Sequence, residues 1–259
     1  MDFGLNGKVA MVAASSKGIG FAIAQSLAEE GCKVSMCARG EEALEYAEGQ
    51  IEQETRSYVV DLSKEDELTW WFEQTNADLG PVDILVTNTG GPPAGRFTEM
   101  SDEQWKQGID GTLMNVVRLV RLASPGMTER NWGRIVHLTS LVAKEPSPLL
   151  PISSTIRAGL TALTRLQSTE LAPNGVTVNA VLPGHTLTDR QLHLAEIRAA
   201  EEAIDVQEAL RRQAETVPMK RLGKPEEIAA AVTFLCSVQA SYISGVNLLV
   251  DGGIVRGLG

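Results

Sequence analysis

The chain has 259 residues, 43% of them hydrophobic, enough to bury one large core in a single domain spanning 1–259. Its 33 acidic and 23 basic residues give a formal charge of −10. That balance, with no basic run, argues against nucleic acid or an anionic membrane as partner and leaves a small-molecule substrate open.

Short β-branched runs alternate with helical patterns along the chain, the rhythm of a doubly wound parallel sheet. Val9–Ala13 reads as a buried first strand, followed by a helix over Gly18–Glu30 with apolar residues at Ile19, Ala22, Ile23 and Leu27. Further strands are predicted at Val34–Cys37, Ser57–Val60, Val82–Thr87, Arg134–Leu138, Val176–Val181 and Val246–Val250. Helices are predicted over Asp102–Arg121 and Ser153–Leu171, with apolar residues on more than one face, consistent with helix-on-helix association into a dimer or tetramer. The expected fold is an α/β Rossmann domain, seven parallel strands with helices on both faces. A charged, Ala/Glu-rich stretch over 186–218 interrupts this rhythm before the Pro225 helix, and an insertion there is well placed to cover a site.

Three cysteines, Cys32, Cys37 and Cys236, form no CxxC pair, and His137, His185 and His193 are scattered. No disulfide framework and no metal site is expected, and a reducing cytoplasm fits. No segment approaches ~18 uninterrupted apolar residues, so no membrane span is expected.

The chemistry-bearing motif is Val12-Ala-Ala-Ser-Ser-Lys-Gly18-Ile-Gly20, between the first strand and first helix. Glycines there let the backbone approach a pyrophosphate, and a helix N-terminus offers aligned N–H groups and partial positive charge. At the end of the second strand stands Arg39, where a carboxylate would select NAD. A guanidinium instead grips a 2′-phosphate through two parallel hydrogen bonds, which favours NADP(H) over NAD(H), and Lys17 is a candidate second cation.

These segments resemble the short-chain dehydrogenase/reductase family, and among its members the 3-oxoacyl-carrier-protein reductases. The first loop is similar to the family's Thr-Gly-x-x-x-Gly-x-Gly, with Ala13 and Ala14 in place of Thr and the first Gly. The resemblance implies a cofactor site at Ala14, Ser16, Lys17, Gly18, Ile19, Gly20 and Arg39, with Asp61 and Leu62 at the adenine. It also implies Asn88, Thr89 and Gly90 beneath the cofactor, and Pro183, Gly184, Thr186 and Thr188 at the nicotinamide. Ser140, in Leu138-Thr-Ser140, occupies the family's carbonyl-polarising Ser. Thr112 stands at its Asn, Ser153 at its Tyr, and Arg157 at the Lys that also meets the nicotinamide ribose.

A serine hydroxyl is a far weaker acid than a phenol, and Arg157 stays protonated, so it can donate hydrogen bonds but cannot relay a proton. Lys144, in the loop after Ser140, and His185, beside the nicotinamide loop, are candidate replacements. Three functions stay open on the sequence. The first is an NADP(H)-dependent reductase of a 3-oxoacyl thioester or related ketone with a non-standard proton-transfer site. The others are a nucleotide-binding sensor or assembly subunit without turnover, and lyase or isomerase chemistry on the same scaffold.

Overall fold

The computed structural model describes residues 2–257. Seven strands, β1 (Val9–Val12), β2 (Lys33–Ala38), β3 (Thr55–Val59), β4 (Ile84–Thr87), β5 (Gly133–Leu138), β6 (Val176–Pro183) and β7 (Asn247–Val250), form one all-parallel sheet in the order β3-β2-β1-β4-β5-β6-β7. Parallel neighbours need crossovers, and the helices α1 (Gly18–Glu29), α2 (Glu41–Glu48), α3 (Glu65–Asp78), α4 (Asp102–Ile109), α5 (Asn115–Glu129), α6 (Pro151–Leu171) and α9 (Pro225–Cys236) supply them. The pair α7 (Asp189–Glu202) and α8 (Val206–Thr216) occupies the irregular stretch between β6 and α9.

Strand side chains alternate between the two faces, and the core divides accordingly. Ala10, Val12, Ile84, Val86, Val136 and Leu138 join Ile23, Leu27, Val232 and Leu235 of α1 and α9 on one face. Met11, Leu85, Ile135 and Val178 join Trp71, Leu119, Met127 and Leu160 of α3, α5 and α6 on the other. Because both faces are covered, the central strands read as continuous apolar runs. The predicted strand ends shift by one or two residues: β3 begins at Thr55, β4 at Ile84 and β7 at Asn247.

The predicted single helix over Asp102–Arg121 is corrected. It is divided by a π turn at Asp110–Met114 and resumes as far as Glu129, carrying Pro125 inside. Asn115 helps hold the wider turn by donating from Nδ2 to the Gly111 carbonyl at 3.0 Å. Apolar periodicity continues through the inserted turn, which hid it from the sequence. Val116, Leu119, Val120 and Met127 of α5 are buried within the chain, whereas Ile109 of α4 and Leu166 of α6 remain exposed.

One buried network gives the fold an acid sensitivity. His137 in β5 is fully buried, with Nδ1 2.8 Å from Thr87 Oγ1 and Nε2 2.8 Å from Gln167 Oε1. Those partners suit the neutral imidazole with its proton on Nε2, and burial lowers the pKa to about 4. The unfolded chain titrates near ~6.5, so this contribution is complete above that pH and is lost as pH falls towards 4, amounting to about 3 kcal/mol. Urea denaturation at pH 7.5 and 4.5 should show the loss, and His137→Gln should reduce the difference. An unchanged difference would assign the acid sensitivity to other groups.

Candidate active site

Strand order reverses between β1 and β4, which both neighbour the sheet centre and lead to crossovers on opposite sides. The crevice at the carboxyl ends of such strands is where open α/β sheets receive ligands. The segments following β1, β2, β3, β4, β5 and β6 therefore carry the residues singled out in the sequence to one edge of the sheet.

At that edge α1 starts without a side-chain cap, leaving N–H groups of its first turn free for a ligand. Ala14 and Gly18 both adopt left-handed backbone, φ +48° and +57°, which folds the loop back over the strand end. Asn88 Nδ2 donates to the Ala14 carbonyl at 3.2 Å, tying the segment after β4 to this loop. Ser15, not singled out in the sequence, fixes the other side: its Oγ donates to Val12 O at 2.8 Å and accepts from the Cys37 N–H at 3.2 Å. An uncapped helix start in a tightly held loop fits a dinucleotide pyrophosphate, with Ser16, Ile19 and Gly20 in the same loop and first turn.

Arg39 is exposed just beyond β2. Asp61, beyond β3, accepts from the Ser63 N–H and hydroxyl, and these bonds, aided by nearby Arg39, hold its carboxyl below the usual range. Leu62 packs against the second core cluster. Lys17 points elsewhere: its Nζ is 2.6 Å from Asp189 Oδ2 at the start of α7, so in this conformation it bridges the crevice instead of joining Arg39. Both partners are exposed, and such a pair contributes little stability.

The reaction-bearing positions meet around Arg157. Ser140 caps the short turn Leu141–Ala143 after β5, its Oγ accepting from the Val142 N–H at 3.3 Å. Arg157, buried on α6, donates from Nη1 to the carbonyls of Leu138 at 2.8 Å and Thr139 at 2.7 Å, clamping the backbone immediately before Ser140. Its Nε donates to Ser153 Oγ at 3.3 Å, one helical turn away, and its Nη2 to Thr89 Oγ1 at 3.4 Å. Gly90 follows Thr89 on the segment beneath the crevice.

Burial, then the neighbouring Arg190, lowers the Arg157 pKa to about 10, which still leaves the guanidinium charged at neutral pH. A lysine ammonium starts about two units lower and would be far nearer to losing its proton there. Thr112 is buried in the π turn between α4 and α5.

Lys144 is half-buried at the end of the Leu141–Ala143 turn. His185 is tied to the following helices: its Nδ1 is 2.8 Å from Gln213 Nε2 on α8, and Gln213 is bonded in turn to Gln191 on α7. Burial and Arg198 lower the His185 pKa to about 4, so at neutral pH it is not a charged acid. Its role is to brace the two helices against the loop Pro183–Thr188. In that loop Gly184 lies against Asp251, where a Cβ would come 2.6 Å from the Asp251 Cα. Thr186 Oγ1 donates to Gly184 O, and Thr188 Oγ1 caps α7 by accepting from the Gln191 N–H.

A glycine-led first helix at the switch point of a doubly wound sheet defines a dinucleotide-binding class of fold. A family profile described as enoyl-(acyl carrier protein) reductase matches residues 13–255. The chain is 36% identical to nodulation protein G of Azospirillum brasilense over 251 residues, covering 95% of this chain and 98% of that protein. It is 34% identical to the 3-oxoacyl-[acyl-carrier-protein] reductase FabG of Aquifex aeolicus over 258 residues, covering 98% and 100% respectively. The L-sorbose reductase of Gluconobacter frateurii, solved with NADPH and L-sorbose, superposes over 100% of both chains with a TM-score of 0.94 at 33% identity. The chain belongs to the short-chain dehydrogenase/reductase family.

Arg190, not singled out in the sequence, also reaches this edge. It follows Thr188-Asp189 in the first turn of α7, and its Nη2 donates to Pro92 O at 2.8 Å across the crevice. A basic residue where the helix dipole favours an acidic one was the available signal.

Proposed function

We propose that this protein is an NADP(H)-dependent carbonyl reductase acting on a 3-oxoacyl thioester or related ketone, cytoplasmic and dimeric or tetrameric, with a proton-transfer site rebuilt around Arg157. The observation that carries the reading is the clamp of Arg157 on the Leu138 and Thr139 carbonyls, which fixes the backbone immediately before Ser140. NADPH, when bound, supplies the hydride. The residues proposed to hold it are Ala14, Ser16 to Gly20, Arg39, Asp61, Leu62, Asn88 to Gly90, Arg157, Pro183, Gly184, Thr186 and Thr188.

On this reading Ser140 donates its hydroxyl proton in a hydrogen bond to the carbonyl oxygen, favouring the polarised bond. Arg157 adds fixed positive charge where negative charge develops and keeps Ser140 in place. Ser153 accepts from Arg157 through its oxygen, leaving its own O–H free to donate. With no phenol at this position, the proton comes from solvent at the rim, where Lys144 stands, and Thr112 lines the π turn behind.

Titration of NADPH and NADH fluorescence should show tighter binding of NADPH, reversed by Arg39→Asp. Oxidation of NADPH by acetoacetyl thioesters should fall about 10²–10³-fold in Ser140→Ala, with NADPH affinity within about threefold of the parent. An equal rate in Ser140→Ala would sink the assignment. Tight NADPH binding with no oxidation of any ketone would favour the second reading, a nucleotide-binding protein without turnover, for which the Ser153–Arg157 pair is the supporting observation.

A further inference from the structure

Arg157 and Arg190 come from different helices and converge on one short stretch of backbone. Arg157 Nη2 reaches Thr89 Oγ1, and two residues on, the Nε and Nη2 of Arg190 lie 3.8 and 3.9 Å from where a Cβ on Gly91 would stand. Arg190 then bonds Pro92 O. Among the described residues no carboxylate pairs with either guanidinium, although other arginines of this chain, such as Arg211, Arg212 and Arg221, have acidic partners. Arg157 is buried and Arg190 half-buried, and desolvation lowers the pKa of each. In a chain of net charge −10, this is a local inversion of sign without an internal counter-ion.

The two cations lie at the α6 end of the crevice. A Cβ on Gly108 of α4 would touch Ile152, Ile156 and Pro92 together, so the carbonyl-bearing Pro92 sits beside the turn of α6 that holds Ser153. The uncapped start of α1 is instead spanned by the Lys17–Asp189 pair. An anion drawn to Arg190 is therefore next to the Ser140, Ser153 and Arg157 group.

We infer that Arg190, backed by Arg157, is a specificity-determining residue that binds a carboxylate carried by the substrate close to its reacting carbonyl. This rests on the reductase reading and selects oxo acids from among its related ketones, in place of the 3-oxoacyl thioester, which carries no free carboxylate. With one Nη2 hydrogen on Pro92 O and the Nε edge against Gly91, the guanidinium keeps its Nη1 hydrogens and the other Nη2 hydrogen as a fork to offer a carboxylate, and such a charged pair discriminates strongly against the uncharged ester. The same chemistry could be met by a cofactor phosphate, and the test separates the two.

Acetoacetate and 4-oxopentanoate would be compared with their methyl esters in NADPH oxidation, and the acids and esters titrated by calorimetry onto the protein loaded with NADP. The acids are expected to be preferred by about 10–100-fold in both assays. Arg190→Met should bring that ratio to within about threefold while leaving NADPH affinity within about threefold, and Arg190→Lys should retain part of the preference. Equal handling of acid and ester by the parent protein overturns the inference. So does an Arg190→Met protein that keeps the acid preference, or one that loses NADPH affinity with the acid-to-ester ratio unchanged, which would assign Arg190 to a cofactor phosphate. Acid-selective binding in calorimetry without NADPH oxidation upholds the carboxylate site and overturns the reductase reading alone.

Discussion

Gly20→Ala is expected to weaken NADPH binding at least about 100-fold and to destabilise the chain by about 3 kcal/mol. A methyl group at this position would lie 2.1 Å from the Ala14 carbonyl oxygen and 2.8 Å from Asn88 Nδ2. Neither neighbour can yield cheaply. The carbonyl is backbone in a left-handed turn, and the Asn88 amide is bonded to it. The first turn of α1 must move away from the loop, and the free N–H groups move with it. Gly18→Ala makes a useful comparison: its Cβ would meet only Thr188 Cγ2 at 3.3 Å, so the main penalty is left-handed backbone, about 1 kcal/mol. Fluorescence titration and thermal melting of both variants would check the ranking. A Gly20→Ala protein that binds NADPH within threefold of the parent would show that α1 approaches the loop less closely than described.

Arg157→Leu is expected to remove NADPH-dependent turnover, lowering kcat/KM by about 10³, and to reduce stability by about 3 kcal/mol. Leucine leaves the Leu138 and Thr139 carbonyls without their buried donor, and the turn that presents Ser140 loses its anchor. Loss of an unpaired buried charge offsets part of this, which is why the expected destabilisation stays moderate. Arg157→Lys is the informative companion. It restores an amine but not the fork, and beside Arg190 it is pressed towards its neutral form. We expect it to recover less than a tenth of the parental kcat/KM, with activity falling further as pH rises and the ammonium deprotonates. Pairing it with Ser153→Tyr supplies a phenol at the same turn of α6. Steady-state kinetics between pH 6 and 9, together with urea denaturation, would separate loss of positioning from loss of folding. A lysine variant as active as the parent would show that charge alone, not the bidentate clamp, is what the site uses.

The sheet was legible because buried parallel strands leave an unmistakable pattern. Runs such as Val9–Val12 and Ile84–Val86 feed alternate side chains to two apolar clusters, and no other arrangement buries both sets. Ser140, Ser153 and Arg157 could be singled out by their resemblance to the family's active-site positions, and the structure brings these three together around one guanidinium. Other features depend on partners far away in sequence. Arg190 reaches Pro92 across 98 positions, and Lys17 reaches Asp189 across 172. A π turn adds one residue to a helical turn without interrupting apolar periodicity, so the break at Asp110–Met114 left no trace. The position of His185 beside the Pro183–Gly184 loop was legible, but only the packing of α8 shows that its imidazole bonds Gln213.

The two ties from the start of α7, Lys17 to Asp189 and Arg190 to Pro92, straddle the crevice from opposite walls. Together they hold α7 down by about 2 kcal/mol, a closed-to-open ratio near 30 to 1 from these contacts alone. If the helix pair moves on the microsecond scale, a latch of that strength opens about 30 times in a millisecond and about 30,000 times in a second. It also sets an order of events. On the proposed reductase reading, a dinucleotide would have to pass before the latch shut over it, the second reactant would meet a crevice already loaded, and departure through the same gate would close each cycle. Raising ionic strength loosens the exposed Lys17–Asp189 side first, so on the proposed reading salt would act on the exit of the product more than on the chemistry that made it.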